Sequence, residues 1–448
     1  MKKKLILSAF LISTIFAVGC SSDNGASAPS ESTTSSEVVE NETSEVEPVD
    51  DTEETILTII CGGSPASDSI QAIGDQALED IGIGLDVEYR PDGGEGDNLI
   101  KTRLAAGNLN DLLSYNTGAK FGELNPSEYF IDLTDTGLMD SVDPTFAEAV
   151  TIDGVPYGVP KKGAPAGVIM YNRDVYEEYG LEVPKTWDEF LANCDALLGT
   201  GVTPIIGSFA DAWTTQVVFL GDNYNVVSQD PNFVDNFTAG TDKFATNPAG
   251  LSSFQKAEET IPYYNADATA TSYADGCEML LFGDGAHYIM VTDALAIMND
   301  LYPEEMDNVG IFAVPGDDPD DNGLTTWLPN GIFGNKSGDV DKILKFMNYY
   351  IEESSINIYN EYSYPVGPPL VDGVSLDSSV IDAVRVDMQS YFDTGKTALA
   401  LEFMTPVKGT TLEQITVELL TGQISAEEAA SAYDEDCLKQ AVQLGLDW

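Results

Sequence analysis

From Thr55 to Trp448 short apolar strands alternate with amphipathic helical runs, and this alternation restricts the possible fold more than any other feature of the chain. Strands and helices in turn are the pattern of α/β layers, in which helices cover the faces of a sheet. The first strand reads as Ile56-Leu57-Thr58-Ile59-Ile60, and the Gly-rich turn Cys61-Gly62-Gly63-Ser64 leads into a helix ending near Asp80. A second strand is predicted over 85–89. Pro91-Asp92-Gly93-Gly94 then reads as a turn, 98–106 as a helix and 111–115 as the third strand. In open α/β sheets ligands bind where loops leave the carboxyl ends of strands. That rule singles out Ser64, Tyr115 and Asn116. The stretch is too long for one compact core of usual size, so two lobes are expected.

The residues ahead of it are of another kind. Lys2, Lys3 and Lys4 precede the apolar run Leu5 to Val18. This run is shorter than the about 20 residues a membrane-crossing helix needs, so residues 1–20 are expected to be a secretory signal. Ala17-Val18-Gly19-Cys20, followed by Ser21-Ser22, resembles a bacterial lipobox, although the first position of such boxes is more often Leu. Cys20 is the expected site of lipidation, and acyl chains there would hold the protein on a membrane. Residues 21–54 are rich in Ser, Thr and Glu, with eleven acidic side chains, no basic one and no aromatic. Such a segment cannot bury enough apolar surface to offset its ordering entropy. It reads as a disordered acidic tether with a reach of roughly 30 Å.

The acidity continues into the folded part. The whole chain has 75 acidic and 20 basic residues; without the tether's eleven acids and the three leader lysines, 64 remain against 17, a net charge of −47. Nucleic acid and phosphorylated ligands need a basic surface and are not expected as partners. A repulsive, solvated surface accounts for the charge, and a cationic ligand such as a polyamine is the sharper alternative.

Catalytic and metal chemistry has little to work with. His287 is the single histidine, which excludes a zinc site of several histidines, and no G-x-S-x-G elbow accompanies it. Cys61, Cys194, Cys277 and Cys437 are widely spaced and could pair in three ways; Cys194 lies in an amphipathic helical run and reads as a buried thiol. Asp318-Pro319-Asp320-Asp321-Asn322-Gly323 fits the first half of a calcium loop, but Pro329 stands where the closing glutamate belongs. A polar surface turn is the reading preferred here. No metal or cofactor is expected.

Several motifs in succession carry a family resemblance. Gly154-Val155-Pro156-Tyr157-Gly158-Val159-Pro160 is followed by Val168-Ile169-Met170-Tyr171-Asn172-Arg173, then by Pro184-Lys185-Thr186-Trp187-Asp188-Glu189-Phe190. Leu104-Ala105-Ala106-Gly107 with Asp111 comes before them. Phe282-Gly283-Asp284-Gly285-Ala286, Val309 through Gly316, and Trp327-Leu328-Pro329-Asn330-Gly331 come after. In this order the string closely resembles extracellular solute-binding protein family 1 of carbohydrate ABC importers. The departures are Asn110, where the family usually has proline, and Asp293, where many relatives carry a tryptophan.

The resemblance implies an α/β, two-lobed periplasmic-binding-protein-like fold of type II, its lobes joined by crossing hinge strands. Lobe 1 is then expected at 55–165 plus 328–375 and lobe 2 at 166–327 plus 376–448. Thr186 with Glu189, and Ser425 with Glu428, read as capping boxes that start helices, and the last helix is expected to stop at Gly445. The implied function is a monomeric, non-enzymatic capture protein, exported and lipid-anchored, that closes on a sugar and delivers it to ABC permease subunits. The competing readings are an extracellular glycoside hydrolase, which needs two suitably spaced carboxylates, and a sensor or adhesin.

Sugars stack their C–H faces on aromatic rings and present hydroxyls that need directed partners. Trp213, in a loop where the family commonly places a stacking ring, is a candidate. Trp327 precedes a crossing strand, where a place facing the cleft and a core place both remain open. Asp293 offers a carboxylate instead of a ring. Lys408 sits before a helix, and it is read as pairing with Asp293 or a sugar hydroxyl, or as simply exposed. Trp187 is expected to be packing. With Ser64, Tyr115 and Asn116 these make up the ligand-binding set.

Overall fold

A computed structural model of the chain describes residues 54–62, 68–91 and 93–448. The expected signal, Cys20, the tether up to residue 53 and Ser64 lie outside the described residues. In chain order the strands are β1 (Thr55–Gly62), β2 (Ile83–Arg90), β3 (Leu112–Tyr115), β4 (Thr151–Ile152), β5 (Val155–Pro156), β6 (Gly158–Pro160) and β7 (Ala166–Asn172). They continue with β8 (Thr203–Ile205), β9 (Gly285–Val291), β10 (Val309–Phe312), β11 (Leu324–Thr326), β12 (Gly331–Gly334) and β13 (Thr397–Leu399).

Two sheets organise the chain. The first has the order β2-β1-β3-β12-β6, with β1 parallel to both neighbours and β12 antiparallel to both of its own. The second has the order β13-β11-β7-β9-β8, and β10 pairs with the far half of β7. Alternate side chains point to opposite faces of a strand, so a strand apolar at every position is stable only between two apolar layers. In β1, Leu57, Ile59 and Cys61 face one layer and Ile60 faces the other. All seven residues of β7 are buried, with Ile169 and Tyr171 in one layer and Val168 and Met170 in the opposite one.

The local chemistry follows the sequence in most places and departs from it in two. The helix expected from Asn98 starts at Gly93, inside what reads as a turn, and runs to Ala106. The reason is close packing: a Cβ on Gly96 would stand 2.0 Å from the Pro91 carbonyl oxygen and 2.5 Å from Arg90 Nη1. Glycine thus lets the first helical turn approach the strand end. Thr186 caps its helix by accepting from the Glu189 N–H at 3.2 Å, but Glu189 reaches the Lys185 N–H at 2.7 Å, one residue ahead of the position a capping box requires. The box of Ser425 and Glu428 is complete, and its helix, Ala426–Gln443, ends just before Gly445 at φ 75°.

Between the sheets the chain passes three times, at 161–165, 327–330 and 363–382. The first two passages are zipped together: Lys161 N–H donates to Asn330 O at 3.0 Å and Trp327 N–H to Pro165 O at 2.8 Å. The third touches the first. Ala164 N–H donates to Pro368 O at 3.2 Å, and a Cβ on Gly367 would stand 1.8 Å from Ala164 O.

The cysteines Cys61, Cys194, Cys277 and Cys437 are all buried and free. Burial pushes the Cys61 thiol up to about 11 and the Cys277 and Cys437 thiols to about 12. His287 is a core residue, held between the Tyr176 hydroxyl and the Pro204 carbonyl, each at 2.7 Å. Asp321 of the calcium-like string is engaged by Lys396, at 2.5 Å, and by the hydroxyls of Tyr224 and Ser228. The string is a polar turn stitched to β13.

Candidate functional site

The chain crossing at 161–165 brings the ends of both sheets together. Strands β11 and β9 flank β7, and their carboxyl ends emerge on either side of Pro165, where ligands bind in open sheets. Trp327 follows β11, and Asp293 stands two residues beyond β9. Two inter-strand spacings separate those strands, about 10 Å. On the first sheet, Asn116 follows β3 and Lys162 follows β6.

Trp327 is half-buried. Its ring packs where Gly167 leaves room, since a Cβ on Gly167 would stand 2.8 Å from Trp327 Cζ3. Trp213 is also half-buried, in the short 3-10 helix Ala212–Gln216, with its ring set edge-on to Tyr273 at 4.9 Å. Tyr273 lies within electrostatic reach of Asp293. Burial raises its hydroxyl first, and the charges of Cys277 and Asp293 raise it further. Asn116 is half-buried and makes no side-chain hydrogen bond among the described residues.

Asp293 pairs with Lys162, Nζ to Oδ1 3.7 Å, across the gap between the sheets. Lys408 does not reach Asp293; its ammonium is exposed and pairs with Glu402 at 2.9 Å. Glu402 lies only six residues back, on the helix Leu401–Met404, so the local partner wins. Tyr115 is fully buried, and its hydroxyl donates to Asp97 while its ring lies under the Arg90 guanidinium at 5.1 Å. Trp187 is packing: it is buried on Phe190, and its indole N–H donates to Glu259 at 2.7 Å.

Starting at Gly118, a cleft of about 530 Å³ opens between residues of the two sheets. Gly118, Glu148 and Thr151 line it from the first sheet's side, and Asp235, Phe403 and Met404 from the second's. Glu148, Asp235 and Met404 are exposed. Apolar surface beside carboxylates and hydroxyls suits a neutral polar ligand with hydrophobic faces.

The sequence reading misses Lys162, Tyr273 and the cleft residues. Lys162 had a signal: two adjacent lysines in a chain with only 20 basic residues, placed between a strand of each sheet. Tyr273 had none, because its part depends on the fold bringing it beside Trp213.

A family model for bacterial extracellular solute-binding protein matches residues 63–355. A multiple sugar-binding protein of Streptococcus mutans is 29% identical over 125 residues, covering 28% of this chain and 29% of that protein. The melibiose/raffinose/stachyose-binding protein MelE of Bacillus subtilis is 30% identical over 100 residues, 22% of each chain. The matched stretches therefore span less than a third of these relatives. Apo RafE from Streptococcus pneumoniae has a TM-score of 0.72 at 19% identity, covering 87% of this chain and 98% of that one. At that identity the likeness is one of fold, and the fold is the two-lobed, type II α/β arrangement.

Proposed function

The chain belongs to the bacterial extracellular solute-binding protein family, and on that premise we propose that it captures an oligosaccharide for an ABC importer. The observation that carries this reading is the gap between the lobes. Asn116, Trp327 and the pair Lys162–Asp293 follow the strand ends that meet at the crossing, the half-buried ring of Trp213 packs on Tyr273, and a cleft of about 530 Å³ opens between residues of the two sheets. Rings for C–H faces and charged or amide groups for hydroxyls are what a saccharide requires. Relatives named for sugars, among them raffinose and stachyose, support the same class.

Sheet membership supports lobe boundaries at 55–165 with 328–375, and at 166–327 with 376–448. Ligand contacting both lobes favours the closed form, because binding shifts a two-state equilibrium only by its differential affinity. The closed monomer then docks on permease subunits. Cys20, once lipidated, and the tether keep it at the outer face of the membrane.

The test is titration calorimetry of the full chain against raffinose, stachyose, melibiose, chito- and xylo-oligosaccharides, and spermidine, with chromatography of each mixture afterwards. Binding of at least one sugar without change to it is expected. Release of hydrolysed product would replace capture with hydrolysis, and binding of spermidine alone would sink the carbohydrate reading. Serine at Cys20 is expected to release the protein from cells into the medium.

A further inference from the structure

Asp293 and Lys162 have a chemistry that neither lobe uses. Their separation of 3.7 Å exceeds the 2.7–3.2 Å of an N–H···O hydrogen bond. Lys162 is 31% and Asp293 50% exposed, so screening leaves the pair little part in stability. Among the described residues neither side chain makes a hydrogen bond; beyond the pair itself, Asp293 acts only through its charge on Tyr273 and Lys162 through its charge on Tyr359. Three ammonium hydrogens and the carboxylate lone pairs are therefore free.

Their backbones, by contrast, are fixed. Thr292 N–H donates to Ala166 O at 2.9 Å and Ala166 N–H to Thr292 Oγ1 at 3.0 Å, which holds Asp293 against the crossing. Lys161, next to Lys162, is bonded to Asn330. Asp293 also precedes the helix Ala294–Leu301 at the N-cap, where an aspartate ordinarily accepts a backbone N–H. It accepts none. The carboxylate is left to the gap.

We propose that Lys162 and Asp293 form a specificity dyad that reads two hydroxyls on adjacent carbons of the bound saccharide. This rests on the carbohydrate reading above. A hydroxyl both donates and accepts, so one can donate to Asp293 while its neighbour accepts from Lys162, with no proton changing owner. The dyad draws one group from the crossing after β6 and the other from the second lobe, so the same two bonds tie the ligand to both sides of the gap. Trp327 follows β11, two strand spacings from β9 across the floor that β7 forms, and is assigned to the face of a neighbouring sugar ring. The class of ligand that follows is an oligosaccharide whose floor residue keeps both adjacent hydroxyls unlinked and unacylated.

The test uses the full chain, the panel sugar of lowest Kd, and its monodeoxy analogues. Lys162→Met and Asp293→Asn are each expected to raise Kd for the intact sugar by about tenfold or more, with thermal unfolding unchanged, and by about threefold or less for the analogue lacking a recognised hydroxyl. Lys162→Arg and Asp293→Glu should recover part of the loss. Equal losses on intact and deoxy sugars, or no loss at all, overturn the dyad. Should a variant fail to fold, the wild type decides: tight binding of every deoxy analogue also overturns it. If no panel sugar binds the wild type, the carbohydrate reading falls first and the dyad with it.

Discussion

Tyr115 donates its hydroxyl hydrogen to Asp97 Oδ1 at 2.9 Å, tying the end of β3 to the neighbouring helix instead of offering the ring to the cleft. Asp97 keeps its ion pair with Lys120 at 2.9 Å whatever happens to the tyrosine. Tyr115→Phe is therefore expected to cost about 1 kcal/mol of stability and leave sugar affinity unchanged. Urea unfolding and calorimetry check the two halves. A tenfold loss of affinity would return Tyr115 to the binding site.

A second prediction concerns the buried pair Lys256–Asp222, 2.6 Å apart and nearly inaccessible to solvent. Asp222 is also held by Ser253 and Asn225, and Lys256 donates to Pro315 O at 2.8 Å. Lys256→Met strands a carboxylate in the core of the second lobe. The expected loss is about 3–5 kcal/mol, read from the midpoint of urea unfolding. Asp222→Asn with Lys256→Met together should cost less than Lys256→Met alone, because the stranded charge is then gone.

His287 gives stability a pH dependence. Burial pulls its imidazole down from the ordinary 6.5 to about 4. As pH falls through 6.5 the unfolded chain takes up the proton before the folded one does, so stability is lost between about 6.5 and 4. The loss amounts to roughly 3 kcal/mol. Melting temperatures measured across that window should fall more steeply for the wild type than for His287→Gln, and parallel curves would remove the histidine as the cause.

The four thiols of the folded part should be silent in the native protein. With Cys61, Cys194, Cys277 and Cys437 buried and pushed well above neutral pH, the thiolate that reacts is absent and shielded. A thiol reagent is expected to label none of the four before unfolding and all four after it, counted by mass spectrometry.

Strands β1 and β7 were legible because a buried strand must be apolar along its length, and the runs around Ile59 and Ile169 are, whereas the three-residue strands β8 and β13 are too short to show a pattern. What periodicity could not supply is which residue at a strand end faces solvent. Tyr115 and Asn116 are neighbours in sequence, yet the first is fully buried and the second half-buried. Pairings between distant side chains were also hidden. Lys408 found Glu402 nearby, leaving Asp293 to Lys162, a partner that only the paired ends of β7 and β9 bring within reach. Pro91 to Gly94 read as a turn because glycine usually marks one, whereas here Gly93 and Gly94 open a helix that Gly96 lets abut the strand before it.

A last prediction is for the crossing passages, which touch at Gly163 and Gly367 with no space for a Cβ. Gly367→Ala should force Ala164 and Pro368 apart and change the angle at which the lobes rest. Affinity for all panel sugars is expected to change by a common factor, with their ranking kept. A change in ranking would place Gly367 in the site itself.

That contact separates two properties which natural variation can then adjust one at a time. On the proposed function, side chains around Asp293 would select the ligand, and the glycine contact would set how much of its binding energy goes into holding the halves together. A lineage could then lower its threshold for capture at that contact without changing which ligand it takes.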